Sequence, residues 1–114
     1  PSDIEGLEYC KKASTLNQQR ENDPSKTQVH QEILLLAARF HLRLDQSQEA
    51  LDKLTEIWEV DQTSHHVALK LSEAYLELSA KTNNKKTIDE LLSHSLTYCN
   101  KSLELSKEVT KKNH

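Results

Sequence analysis

The side chains most able to carry chemistry in this sequence are its six histidines, and their spacing does not favour a metal site. His30 and His41 lie about three turns apart on one expected helix, too far for both rings to bind one ion. His65 and His66 are adjacent, and adjacent side chains on a helix point about 100° apart. We therefore expect structural or solvent-facing histidines and no bound metal.

The two cysteines do not form a recognisable redox or metal motif. Cys99 follows His94 by five residues, outside the i, i+4 register that lets two helical side chains share a ligand, and no Cys-x-x-Cys or HExxH pattern occurs. Cys10 and Cys99 lie far apart in stretches of helical pattern. This placement predicts two buried thiols without a disulfide, and no cofactor.

Arrangements for nucleophilic or acid–base catalysis are also missing. The single glycine cannot build a phosphate-binding loop, and no GxSxG pattern occurs. Glu73 and Glu77 share a helical face, but carboxylates four residues apart are common on solvent-facing helix surfaces. The formal glycosylation sequon at Asn100 lies in the middle of an expected helix, and we expect it to be unused. The sequence predicts no enzymatic activity.

Composition favours an all-α fold without a membrane span. The chain of 114 residues has 1 glycine and 2 prolines, too few for the turns of a β protein, and good helix formers dominate. A net charge of −3 argues against a general nucleic-acid binder. The longest apolar run, Ile33 to Ala38, is far shorter than a membrane span, and because Pro1 begins directly, without a basic and then apolar leader, we expect no signal peptide. We expect an intracellular protein, cytoplasmic or nuclear, and the missing initiator Met suggests a fragment of a longer chain.

Hydrophobic periodicity predicts five amphipathic helices joined by short turns, which makes consecutive helices antiparallel neighbours. Expected N-terminal caps are Ser2, Asp23 before Pro24, the Asp and Ser residues of the turns at 45–48 and 61–64, and Thr87. The expected spans are helix 1 from Ser2 to the stretch 17–22, helix 2 at 24–44, helix 3 at 47–60, helix 4 at 65–80 and helix 5 from 87 to about 109.

Two helices have apolar stripes that predict how they are buried. Helix 2 is apolar almost all round, so we expect it to be the most buried. Helix 5 is expected to turn its leucines and cysteine inward; the predicted inward residues are Ile88, Leu91, Leu92, Leu96, Cys99 and Leu103.

One sequence pattern recurs three times, at 6–16, 50–60 and 95–105. Each copy starts with a small residue, and the three are Gly6, Ala50 and Ser95. Each has an apolar residue in one column, which predicts a core position, and these are Cys10, Leu54 and Cys99. The recurrence indicates one helix of a repeated helical hairpin.

On these residues the chain resembles the tetratricopeptide-repeat family. The stretch 36–61 has the family's order of a small residue in a first helix (Ala38), a tight turn, Glu49-Ala50 and a core residue of the second helix. The resemblance implies a right-handed α-solenoid segment of stacked hairpins. It divides a single domain into an orphan second helix at 1–22, a hairpin at 24–62 and a hairpin at 63–110.

The chain departs from the family pattern at the turns and in its period. Asp45 stands where Gly is usual, and Gln62 stands where Pro is usual. The distance between successive copies is also longer than the family's repeat length of about 34 residues. A diverged, long-helix variant fits these departures. An unrelated antiparallel helical bundle gives similar patterns and remains the alternative fold.

The resemblance implies a protein-binding groove lined by the first helix of each hairpin. Carried onto this sequence, its residues are Glu32, Leu35, Leu36, Arg39, Arg43, His66, Leu69, Lys70, Glu73 and Glu77. The expected partner is a helix or extended peptide, bound by a non-catalytic scaffold or adaptor segment of a larger complex. The alternative is that Leu35, Leu36 and Leu69 are core residues, covered by the extra helix length. The asparagines of the family's chaperone-tail clamp are absent, so we expect no such clamp.

Two further modes of association are expected from the sequence. The missing partner of helix 1 leaves a face that another protein or a second copy of the chain would cover. The alternative function is a self-contained bundle that binds RNA or an acidic membrane surface through lysines of the loop at 81–86 and the tail at 107–112.

Overall fold

The computed structural model describes residues 2–112, and over that range the chain forms five α-helices and no β-strand. The predicted all-α class is therefore confirmed. The helices are α1 (Asp3–Gln18), α2 (Pro24–Arg43), α3 (Ser47–Val60), α4 (His65–Ala80) and α5 (Lys85–Lys112). No helix in this range is long and apolar enough to cross a lipid bilayer.

Three of the predicted helix starts are confirmed by their hydrogen bonds. The Ser2 hydroxyl accepts from the backbone N–H of Glu5 at 3.1 Å. Asp23 accepts from the N–H groups that follow Pro24, and the Ser64 hydroxyl accepts from Val67 at 3.3 Å. Each cap satisfies an N–H group that has no partner within the first helical turn.

Two predicted caps are wrong. α5 begins at Lys85, and the Asn84 side chain accepts from the N–H of Thr87 at 3.0 Å, so Thr87 is a helical residue and not the cap. Asparagine is among the best N-cap residues, which lets α5 begin earlier. At the start of α3 the cap position belongs to Gln46, without a side-chain bond, because the buried Ser47 hydroxyl is used between helices.

The helices pack in chain order, each mainly against its sequence neighbours. The centre of the core comes from α3 and α4, where Ala50, Leu54, Ala68 and Ala74 have no exposed surface. The expectation that helix 2 is the most buried is wrong. Only Leu34, Ala37 and Ala38 of α2 are buried, because its remaining apolar side chains form the walls of open clefts.

The predicted inward face of α5 is wrong for three of its four leucines. Leu92, Leu96 and Leu103 are 42%, 63% and 57% exposed, whereas Leu91 is half-buried. The buried residues of α5 are the small Ser95 and Ser102, while Tyr98 and Leu105 pack against the core. The Ser102 hydroxyl donates to the carbonyl of His65 in α4 at 2.8 Å. Small side chains let the two helices approach closely, and that contact decides how α5 is turned.

The recurring sequence pattern therefore folds into differently turned helices. Cys10 and Leu54 are buried as predicted, whereas Cys99 is only partly buried. Tyr9 is 72% exposed, although its counterpart Tyr98 packs edge-on against the Trp58 ring at 5.7 Å. The predicted core column thus holds in α1 and α3 and fails in α5.

Hydrogen bonds and an ion pair connect the turn between α2 and α3 to the C-terminal end of α4. Asp45 has a φ of 62°, in the left-handed region. Lys81 donates from its ammonium group to the Asp45 carbonyl at 2.7 Å and to the Ser47 hydroxyl at 3.0 Å, and it lies 2.9 Å from Asp45 Oδ1. The Ser47 hydroxyl donates in turn to Glu77 at 2.9 Å. Together these bonds hold the α2–α3 turn against the C-terminal end of α4.

Candidate protein-binding groove

A groove of about 480 Å³ lies between α2 and α4, the first helices of the two predicted hairpins. Most of the residues predicted for this surface line it, and they are Leu36, Arg39, Arg43, Lys70, Glu73 and Glu77. Leu42 also lines the groove. Its place one turn after Arg39 is the sequence signal for this face, and Leu42 also packs against the core.

The other predicted groove residues lie elsewhere. Glu32 and Leu35 line a separate cleft of about 200 Å³, and Leu35 also packs against the core. His66 and Leu69 line neither cavity; Leu69 is 41% exposed, and the His66 ring lies 4.1 Å from that of His65. The structure thus brings together six of the ten predicted residues, toward the end of the groove near the α2–α3 turn.

The acidic residues of the groove are already engaged. Glu73 pairs with Lys70 at 3.1 Å, and Glu77 accepts from the buried Ser47 hydroxyl. Arg43 reaches Asp3 of α1 at 3.5 Å. Arg39 is exposed and has no ion-pair partner within residues 2–112. The charge left uncompensated in the groove is therefore positive, and it lies beside the 44% exposed Leu36.

The histidines of the described chain have individual neighbours. His94 stacks on Tyr75 at 5.0 Å, His30 lies 3.7 Å from Glu56, and His41 shares a 2.7 Å contact with Gln46. Across residues 2–112 no three His, Cys, Asp or Glu side chains come close enough to hold a metal ion.

The pKa values of the Cys10 thiol and the Tyr75 phenol are both raised, which makes these two groups less reactive. Burial raises the pKa of the Cys10 thiol. Burial, and after it the nearby Tyr98, raises the pKa of Tyr75. A nucleophilic cysteine needs a lowered pKa, so the environment of Cys10 is that of a packed side chain.

The lysines predicted to bind RNA or an acidic membrane surface differ in their surroundings. Lys81 is bound to Asp45 and Ser47, whereas Lys85, Lys86 and Lys107 are exposed. The side chain of Lys112 lies outside the described residues.

A further cavity, of about 500 Å³, was not anticipated from the sequence. It lies between α1, α2 and α3, with Leu7, Cys10, Ile33 and Ala37 among its walls. The corresponding space between α3 and α5 is occupied by Trp58 and Tyr98.

Comparisons of the chain with models of protein families, with curated proteins and with solved structures gave no match.

Proposed function

We propose that this chain is a non-catalytic, tetratricopeptide-like segment of stacked helical hairpins that binds a protein partner in the α2–α4 groove. The proposal is supported by the order of packing, in which each helix lies mainly against its neighbours in sequence. It is supported also by Asp45, which adopts a positive φ at the position where the family usually has glycine.

The observation that carries the groove assignment is Arg39 beside Leu36. The acids of the same groove are bound to Lys70 and Ser47, which leaves the Arg39 guanidinium free to pair with a carboxylate from outside. A partner helix or extended peptide would place an apolar side chain on Leu36 and an acid on Arg39. Such a partner fits a scaffold or adaptor segment of a larger intracellular complex.

Reversing the groove charge tests this assignment. The wild-type chain and an Arg39→Glu/Lys70→Glu variant are each used to capture partners from cell extract. A Lys11→Glu/Lys12→Glu variant makes the same change of net charge on the exposed face of α1. We expect the wild type and the α1 variant to capture one common set of proteins, which the groove variant loses.

A photo-crosslinking amino acid locates the contact directly. Placed at Leu36, it should crosslink to a captured partner, and placed at the exposed Thr15 of α1 it should not. If the groove variant captures the same proteins as the wild type, the groove assignment is wrong.

The α1 surface at Tyr9 and Leu16, which are 72% and 66% exposed, lies outside the groove and is not part of this proposal. For the alternative, a low-salt gel shift that salt abolishes would favour RNA binding; no shift at low salt would favour the scaffold.

A further inference from the structure

The outer face of α5 carries an uncovered apolar stripe formed by Leu92, Leu96, Cys99 and Leu103. The three leucines are 42%, 63% and 57% exposed, and Cys99 is partly exposed. α5 packs mainly against α4, and its Tyr98 ring contacts Trp58 of α3, on a different side of the helix from the exposed leucines.

The spacing of the stripe is that of two helices packed side by side. Successive members are four, three and four residues apart, the a/d pattern of a coiled coil. The pattern reads the same in both directions. Two antiparallel copies of α5 therefore place Leu92 opposite Leu103 of the other copy, and Leu96 opposite its Cys99.

The charges at the two ends of the stripe complement each other in that register. Asp89 lies one turn before Leu92, and Lys107 lies one turn after Leu103. Both are exposed and have no ion-pair partner in the described part of the chain. Antiparallel pairing brings Asp89 beside Lys107 of the other copy, and the two-fold axis repeats this pair at the opposite end.

A parallel pair would instead set Asp89 against Asp89 and Lys107 against Lys107. We propose that the outer face of α5 is an antiparallel homodimer interface, closed by Leu96 and Cys99 at its centre and by Asp89–Lys107 pairs at its ends. The interface lies on a different helix from the α2–α4 groove and does not depend on the function proposed for that groove.

The expected dimer is weak. α5 is already held in helical form by α4, so pairing does not have to supply the cost of forming the helix. The apolar stripe covers only about two heptads, and the contact is smaller than the about 1,600 Å² of a standard interface. We expect dissociation in the micromolar range or above.

Sedimentation equilibrium of the full chain, over concentrations up to about 1 mM, tests the interface. We expect a concentration-dependent dimer that Leu96→Glu abolishes, since the substitution places two unpaired carboxylates at the centre. Leu16→Glu on α1 is the matched control, a leucine of similar exposure (66% against 63%), and should leave the dimer intact. Circular dichroism of each variant shows that α5 remains folded.

Charge reversal tests the register. Asp89→Lys and Lys107→Asp should each weaken the dimer about tenfold, and the double exchange should restore it. A wild-type chain that stays monomeric to about 1 mM overturns the proposal and leaves the stripe to a different protein. A dimer unchanged by Leu96→Glu, or one lost on Leu16→Glu instead, overturns it as well, and a double exchange that fails to restore pairing overturns the antiparallel register.

Discussion

Ser72 of α4 and Ser95 of α5 each donate a hydroxyl hydrogen bond to the main-chain carbonyl of the other, at 2.7 and 2.8 Å. Their hydroxyl oxygens lie 3.1 Å apart, and both side chains are buried. These bonds require the backbones of the two helices to lie close together at this point. This close approach explains why α5 buries serines while it leaves leucines in solvent.

Enlarging this crossing should destabilise the fold. We expect Ser95→Val to lower the free energy of unfolding by about 1–3 kcal/mol, because the added methyl groups push α5 away from α4. Ser93→Val, on the exposed side of the same helix, should change it by about 0.5 kcal/mol or less. Urea denaturation followed by circular dichroism measures both values, and equal effects would contradict the close crossing.

The contact of Gly6 with Phe40 makes a second prediction. A Cβ atom on Gly6 would overlap the Phe40 ring, so the ring must move if alanine replaces glycine. Alanine favours the helix by about 1 kcal/mol, and we expect the clash to outweigh that gain. Gly6→Ala should therefore destabilise the wild type by about 1 kcal/mol and stabilise a Phe40→Leu background. Additive effects in this double-mutant cycle would show that the two residues are not coupled.

Asp45 should respond oppositely to glycine and alanine. Its φ of 62° costs about 1 kcal/mol or more in a residue with a side chain. Asp45→Gly removes that cost and keeps the carbonyl bond from Lys81, so we expect stabilisation by about 0.5–1 kcal/mol. Asp45→Ala keeps the strain and loses the exposed pair with Lys81, so it should destabilise by a similar amount. Thermal unfolding of both variants measures whether each substitution raises or lowers the stability of the fold.

The cap at Asp23 predicts a dependence on pH. Hydrogen bonding to the Ser25 side chain, above all, lowers the pKa of the Asp23 carboxyl, with smaller help from backbone N–H groups and Arg20. Because the pKa of Asp23 is lower in the folded chain, its carboxylate stabilises the fold at any pH above the unfolded-state pKa of about 3.9. This stabilisation is lost as the pH falls through the folded-state pKa. Asp23→Asn keeps a capping oxygen without the charge. The wild type should exceed it in stability at neutral pH, and the difference should vanish in acid.

The two thiols should differ in reactivity. Cys10 is 6% exposed and its pKa is raised by burial, so little thiolate forms at neutral pH and reagents cannot reach it. Cys99 lies on the open face of α5 and is more exposed. We expect a maleimide to label Cys99 alone in the native chain and both residues in denaturant, as read by peptide mass spectrometry. Rapid native labelling of Cys10 would contradict its buried position.

Local features of the fold were predictable from the sequence because they depend on residues close together in the chain. The five helices and the caps at Ser2, Asp23 and Ser64 follow from periodicity and from the hydrogen-bonding needs of a helix start. The resemblance to the repeat family also implied a groove between α2 and α4, and six of the ten residues carried over from it line one groove in the structure.

The rotation of each helix about its own axis was decided only by the tertiary structure. An apolar stripe that extends nearly round a helix does not say which flank meets a neighbour. In α5 the close packing at Ser95 fixes the rotation of the helix, which leaves Leu92, Leu96 and Leu103 exposed. The same rotation places Tyr98 against Trp58. Tyr9, in the same sequence pattern, points to solvent because α1 packs through Gly6 against Phe40 instead. Which side chains stay exposed for binding therefore depends on contacts between distant residues that no local pattern contains.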